Sequence, residues 1–297
     1  MEKINRRAFL YAGAIGLTGY AALSATGVLN QAILPANGGV DQVKLGQSGL
    51  TVSRIALGTG SIGGNHQSNQ TRLGMTNFVK LAQHGYDRGI RFFDTADSYG
   101  SYPFIKEVLK NVPREKVTLL GKMWTSNDII NSEPVDKALD RFRTETGSDY
   151  FDIMLLHCMT NGNWPEEKKR YMDYFSKAKQ QGLIKAVGIS CHNYDALKVA
   201  VDEPWVDVIL ARINPFQSHM DGTPAQINEL LDRARTNGKG VIGMKIFGNG
   251  DKILEKEREE SITFALKKTS IHAMTLGMES IAQLDDAVDR VMRIAKS

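Results

Sequence analysis

Phe151-Asp152-Ile153-Met154-Leu155-Leu156-His157, then the segment 166–181 closed by Gly182, then Ile184-Lys185-Ala186-Val187-Gly188-Ile189-Ser190, is the stretch on which the fold turns. The run Ile153-Met154-Leu155-Leu156 lacks the polar alternation of a half-exposed strand, which is the pattern of a strand buried on both faces. The segment after it is long enough for a helix, and Gly182 stands where a left-handed C-cap is wanted. Strand, helix and strand in this order imply parallel pairing through a helical crossover.

The same unit recurs outward in both directions. Strand-like runs fall at 55–58, 91–94, 117–121, 151–157, 184–190, 206–213, 241–246 and 271–276. Helical segments follow them at 76–88, 102–111, 134–146, 166–181, 194–201, 224–237, 252–268 and 281–296. A polar hairpin at 43–45 and 50–52, turning at Gln47-Ser48-Gly49, precedes the first unit. Eight strand–helix units in a region of this length predict an α/β fold, a (β/α)8 TIM barrel with an N-terminal β-hairpin. A doubly wound sheet is the competitor. Gly58-Thr59-Gly60-Ser61-Ile62-Gly63 has the spacing of a dinucleotide-binding turn, but no helix start follows it directly, and the spacing alone is weak.

The first 39 residues read differently, and the barrel is expected to occupy 40–297. Asn5-Arg6-Arg7-Ala8-Phe9-Leu10 opens an uncharged stretch rich in Ala, Gly, Leu and Thr, the layout of a secretory signal. The arginine pair followed by Phe-Leu resembles a twin-arginine export motif. The expectation is therefore an export signal and linker, the twin-arginine machinery as a partner, and an exported, periplasmic location. Membrane anchoring by an uncleaved N-terminus is the alternative.

The net charge is +4, and no Lys/Arg block with interleaved aromatics occurs, so nucleic acid is not an expected partner. Cys158 and Cys191 are the two cysteines. They form neither a CxxC pair nor a Cys/His cluster, so no metal site is expected. Free, mostly buried thiols are expected, with a disulfide as the alternative.

In a barrel of this kind the chemistry gathers at the C-terminal ends of the strands. The second strand ends in Asp94 with Tyr99 close behind, the third in Lys122 and the fourth in His157. A free phenol is a poor acid at neutral pH. A lysine ammonium beside Tyr99 would lower its pKa, and Asp94 can partner that ammonium. With His157 orienting a carbonyl, the set could protonate the carbonyl oxygen while hydride reaches the carbon. No side chain delivers hydride, so a nicotinamide cofactor is implied.

These residues carry a resemblance to the aldo-keto reductase superfamily, from about Val43 to the C-terminus. Val43-Lys44-Leu45-Gly46 with Leu57-Gly58-Thr59 is similar to that family's hairpin and first strand. Phe93-Asp94-Thr95-Ala96 with Tyr99-Gly100, Leu120-Gly121-Lys122 and Leu155-Leu156-His157 supply its four site positions in order. The resemblance implies Tyr99 as general acid, tuned by Asp94 and Lys122, with His157 positioning a small carbonyl substrate. It also implies cofactor contacts from Thr59, Asp94, Ser190, Asn214, Gly277, Met278 and Gln283. Cys191 stands where the family usually has Asn after Ser190, with Asn214 or Asn193 as stand-ins. The resemblance implies NADP(H), but Leu276-Gly277-Met278-Glu279-Ser280 lacks the usual basic residues that bind its 2′-phosphate and carries an acid, which leaves NAD(H) open as the alternative. The backbone at Gly277 and Met278 could hold a phosphate where the last helix begins.

The polar segment 61–74 is expected to be either a partial lid or a solvated loop. Tyr99, Trp124 and His157 suggest an uncharged aromatic or aliphatic aldehyde or ketone. Two other classes compete: a non-catalytic nucleotide-binding sensor or accessory protein, and a different barrel enzyme that uses Lys122 as a Schiff base.

Overall fold

A computed structural model describes residues 39–125 and 133–297. The expected export segment lies outside these residues except for Gly39. The hairpin pairs β1 (Gln42–Lys44) with β2 (Thr51–Ser53), Val43 opposite Val52. Eight strands follow: β3 (Ile55–Gly58), β4 (Phe92–Asp94), β5 (Thr118–Trp124), β6 (Phe151–Met159), β7 (Ile184–Cys191), β8 (Val208–Arg212), β9 (Gly240–Met244) and β10 (Ala273–Gly277). Each is parallel to its neighbours, and β10 pairs with β3 to close the barrel. The expected (β/α)8 barrel is thus the observed fold, and the glycine-rich turn after β3 starts no dinucleotide-binding helix.

Two apolar clusters display the two-residue period of the strands. Ala56, Phe92, Leu120, Ile153, Leu155, Ala186, Val208, Leu210, Ile242, Met244 and Ala273 pack together inside the barrel, so every strand contributes to a filled interior. The residues between them, such as Leu57, Phe93, Leu119, Leu156, Ile189 and Ile209, pack outward with the helices. Val43, Leu45 and Val52 join the inner cluster from the hairpin, which therefore closes the N-terminal end of the barrel. Gln47 N–H donates to Gly238 O at 2.7 Å to fix it there.

The helices are α1 (Asn69–Arg72), α2 (Met75–Asp87), α3 (Tyr102–Leu109), α4 (Val135–Thr146), α5 (Trp164–Glu167), α6 (Lys169–Gln180), α7 (Tyr194–Asp202), α8 (Pro224–Thr236), α9 (Glu255–Lys267) and α10 (Ile281–Lys296). In α10, Leu284, Ala287, Val288, Val291 and Ile294 recur at three- and four-residue spacing and are all buried. Among the described residues, no helix is long and apolar enough to cross a membrane.

The structure departs from the sequence expectation in three places. The helix expected at 166–181 breaks at Lys168, whose φ of −106° leaves the helical region. The short α5 before the break buries Trp164, whose Nε1 donates to Ala196 O at 3.2 Å. The third barrel strand runs on to Trp124, because Leu120 and Lys122 keep facing inward while Met123 packs outward. The segment 61–74 contains α1, capped reciprocally by Ser68 and Thr71.

Candidate active site

Inward-facing positions continue past the apolar layers to the strand ends, and there they turn polar. Asp94 follows Phe92 on β4, Lys122 follows Leu120 on β5, and His157 follows Leu155 on β6. Trp124 lies in register with His157. Tyr99 comes from the short turn after β4, which Gly100 ends in a left-handed conformation (φ 64°).

The four expected residues meet. The Tyr99 hydroxyl lies 3.4 Å from His157 Nε2. The Lys122 ammonium sits 4.8 Å from the centre of the Tyr99 ring. It donates to Asp94 Oδ1 and, at 3.1 Å, to Thr95 O. Lys122 is only 1% exposed, so this ion pair is a buried one. Burial works against the charged lysine, but Asp94 and Tyr99 outweigh it and raise its pKa above the ordinary value. A permanently protonated lysine is a poor imine-forming nucleophile, which argues against the Schiff-base alternative.

The phenol does not follow the sequence expectation. Burial pushes the Tyr99 pKa up, and Lys122, as a charge and as a hydrogen-bond donor, offsets this only in part while Asp94 adds to it. Tyr99 is thus a protonated phenol, with Lys122 positioned to stabilise the phenolate that proton transfer would leave. His157 is held neutral: burial comes first, then the positive charge of Lys122, with His192 and Lys245 adding to the effect.

Tyr99 borders a cavity of about 660 Å³, in the size range of small-molecule sites. Asp94 and Lys122 line it, as do the expected cofactor residues Gly277, Met278 and Gln283. Ser61, Ile62 and Asn69 line it too, so the segment 61–74 lies at the cavity edge. Asn69 donates to Glu279 Oε1 at 2.7 Å, and Gln70 ties Ser61 to Met278 O. A broader groove of about 860 Å³ runs between α9 and α10, away from these residues.

The remaining expected cofactor residues are placed differently. Thr59 is buried and does not line the cavity; its hydroxyl donates to Asp94 O at 2.9 Å. Ser190 Oγ accepts the Cys158 N–H at 2.8 Å. It thereby holds a bulge in β6, where Cys158 adopts a φ of 66° and the register with β7 shifts. Asn214 donates to Ser218 O and Lys245 O and accepts from Phe216 N and Ser218 N, so it organises the loop after β8. Its hydrogen-bonding capacity is filled, and it cannot stand in for the missing Asn at Cys191 in this conformation. Asn193 caps α7 instead. Both cysteines are free thiols.

Sequence reading passed over Lys245, Arg258, His192 and Arg212. Lys245 follows β9 with a φ of 58° and lines the cavity with Arg258 of α9. His192 and Arg212 extend the inward-facing positions of β7 and β8. Extending the two-residue alternation to the strand ends would have found both.

The cavity fits a nicotinamide dinucleotide. Lys245 supplies positive charge, and Arg258 lies beside it, ion-paired to Asp286 at 2.9 Å. Ser280 Oγ accepts Gln283 N–H at the start of α10, leaving the first-turn N–H groups of Ile281 and Ala282 available to a phosphate. The buried Thr275 hydroxyl has no partner among the described residues and belongs to a residue that lines the cavity. Among the described residues, no group of His, Cys, Asp or Glu could hold a metal ion.

Comparison with known proteins agrees with this geometry. The chain is 26% identical over 216 residues to an NADH-specific methylglyoxal reductase of Escherichia coli, covering 66% of this chain and 64% of that protein. It is 27% identical over 209 residues to an L-galactose dehydrogenase of Arabidopsis thaliana, covering 67% and 62%. The chain spans 33% to 64% of the length of the curated relatives it matches. A Bacillus halodurans aldo-keto reductase structure superposes with a TM-score of 0.66 at 18% identity, covering 85% of this chain and 91% of that one, which shows the shared fold. The model of the aldo/keto reductase family matches residues 54–296, and the chain belongs to that family.

Proposed function

We propose that the protein reduces an aldehyde or ketone to an alcohol with NAD(P)H, and that Tyr99 donates the proton. The observation that carries this reading is the approach of Tyr99 Oη to His157 Nε2, 3.4 Å, at a cavity lined by Lys122 and Asp94. A bound nicotinamide would supply the hydride to the carbonyl carbon. As the carbonyl π bond breaks, the Tyr99 proton passes to the oxygen, and the phenolate left behind faces the Lys122 ammonium. Neutral His157 can hydrogen-bond the same oxygen through Nε2 and hold it at the phenol. Asp94 keeps Lys122 charged and in place. Lys245, Arg258, Gly277, Met278 and the first turn of α10 would hold the nucleotide. Glu279 at that end of the cavity disfavours an added phosphate and weighs toward NAD(H).

The test is nicotinamide absorbance with NADH and NADPH against a panel of aldehydes and ketones, wild type beside Tyr99→Phe. Turnover in the wild type that disappears in the variant supports the reading. Nucleotide binding without turnover moves the assignment to a sensor or accessory protein, a reading favoured by the lack of an Asn beside Ser190 and by the full engagement of Asn214.

The Arg6-Arg7 pair supports export through the twin-arginine machinery to the periplasm. Cell fractionation of wild type and an Arg6→Lys, Arg7→Lys variant tests it; equal cytoplasmic retention of both would end the idea.

A further inference from the structure

The nucleotide cavity is lined from β8, β9, β10, β3, β4 and β5, and no residue of β6 or β7 lines it. From β5 round to β8 the strand ends carry a row of polar and aromatic side chains next to it. Trp124 and His157 are in register, and their rings are 5.3 Å apart. The His192 ring lies 6.4 Å from that of His157. Ser190 pairs with Leu210, so the next inward positions, His192 and Arg212, fall level with each other. On β8 the inner cluster takes Val208 and Leu210 and the outer one Ile209, Ala211 and Ile213, so Arg212 points over the mouth.

Arg212 is incompletely used there. Nη2 pairs with Asp221 at 3.0 Å, and Nη1 reaches His219 O at 3.4 Å. Its Nε is buried and has no partner among the described residues. A buried N–H left unmatched costs stability, and a ligand that brings an acceptor to it would relieve that cost. Lys122, Lys245 and Arg212 face Asp94 and Asp221 here, and His192 is kept neutral, its pKa lowered to about 3 by burial and by Arg212. Arg258, Glu279 and Asp286 also line the cavity, so acids and bases balance around the mouth, and Arg212 offers a cation at one place rather than a net charge.

We propose that Arg212, with His192 beside it, is an oxyanion-binding subsite and that the preferred substrates are carbonyl compounds carrying a carboxylate or phosphate. This rests on the carbonyl-reduction reading and departs from the uncharged substrate that the sequence suggests. A planar guanidinium suits an oxyanion better than a point charge does.

The experiment compares kcat/KM within matched pairs: succinic semialdehyde against butanal, terephthalaldehydic acid against para-tolualdehyde, and glyceraldehyde phosphate against glyceraldehyde. The expected preference for the anionic member is about ten- to a hundredfold, the size of one charge-assisted hydrogen bond. The first two pairs against the third tell carboxylate from phosphate. Arg212→Gln should bring the ratio close to unity, acting mainly through KM, and Arg212→Lys should restore it in part. Asp221→Asn should keep or increase it. If Arg212 only fastens the loop through Asp221, both substitutions will lower both members of each pair equally, and the proposal falls. An absent preference in the wild type overturns it as well. Calorimetric titration of benzoate against benzamide, on Tyr99→Phe protein saturated with oxidised nucleotide, gives a readout without turnover. Benzoate binding that is lost in the added Arg212→Gln change keeps the subsite even if no carbonyl is reduced. Equal binding of the two probes removes it even if reduction is observed.

Discussion

The ring of Tyr99 lies against the bare Cα of Gly60, where an added Cβ would come within 2.2 Å of Tyr99 Cε2. Gly63 meets the other edge of the ring, with a Cβ falling 2.6 Å from Cδ1. The glycine-rich turn after β3 is thus a packing device that seats the proposed acid, not a phosphate cradle. Gly60→Ala should displace the ring and lower kcat about a hundredfold, the usual cost of a small misplacement of a reacting group. Unfolding in urea should report a loss of only about 1–3 kcal/mol, the range for overpacking. Gly64→Ala is the control, since a Cβ there meets nothing within 4 Å. Full activity in Gly60→Ala would show that the ring position does not matter.

The pH profile should be flat through neutrality. Proton donation requires Tyr99 protonated, and burial raises its pKa, so activity is lost only as pH rises beyond the ordinary phenol range. His157 orients the carbonyl oxygen by donating its Nε2–H, and its pKa is lowered well below the ordinary imidazole value, so the ring does not change its charge state in this range. Activity should therefore hold as pH falls through 6.5, the usual histidine value. Measuring kcat/KM across this range checks both limbs. A drop centred near 6.5 would mean that His157 titrates as though exposed to water.

Much of this site was legible in the sequence because each member of the tetrad stands at an inward position on a strand, or in the turn next to one. Asp94, Lys122 and His157 continue the apolar runs that define their strands, so finding the strands located the residues. The turn that brings Tyr99 back over the mouth needed the family resemblance. What the sequence hid is of two kinds. Arg258 reaches the cavity by the packing of α9 on α10, and Lys245 by the left-handed backbone that ends β9, neither of which a local pattern encodes. Ser190 and Asn214 are the right residue types in the right places, yet the bulge at Cys158 and the loop after β8 engage their polar atoms. His192 and Arg212 were readable in principle. They lie where the alternation of β7 and β8 runs past the apolar core, with no motif to single them out.

Asp94 and Lys122 form a buried pair, and removing one partner should cost more than removing both. Asp94→Asn leaves the Lys122 ammonium, 1% exposed, without its countercharge. Breaking such a pair costs about 3–5 kcal/mol, whereas replacing both charges by groups of similar volume is often close to neutral. The double variant Asp94→Asn, Lys122→Met should therefore be more stable than Asp94→Asn alone, while both are inactive. Urea midpoints for the four proteins of this cycle are the measurement. A double variant less stable than Asp94→Asn would show that Lys122 is held by something other than Asp94.

His272 gives the barrel an acid-sensitive joint far from the chemistry. It precedes β10, is 7% exposed, and its Nδ1 accepts the Val241 N–H at 3.1 Å, a bond that needs the neutral ring. Burial, helped by the positive charge of Arg235, lowers its pKa to about 4. Its unfolded value is near 6.5, so between these limits the unfolded chain binds the proton and the folded one does not. The stabilisation is fully present above the unfolded pKa and is lost as pH falls toward the folded one. At about 1.4 kcal/mol per pKa unit, the loss approaches roughly 3 kcal/mol. His272→Gln has no proton to take up at this position, so its stability should fall less over the same interval. Urea unfolding of both proteins at several pH values between 6.5 and 4 isolates the residue as the difference in slope. Parallel slopes would mean that the ring is already protonated in the folded barrel, and that the Val241 amide has a different acceptor in solution.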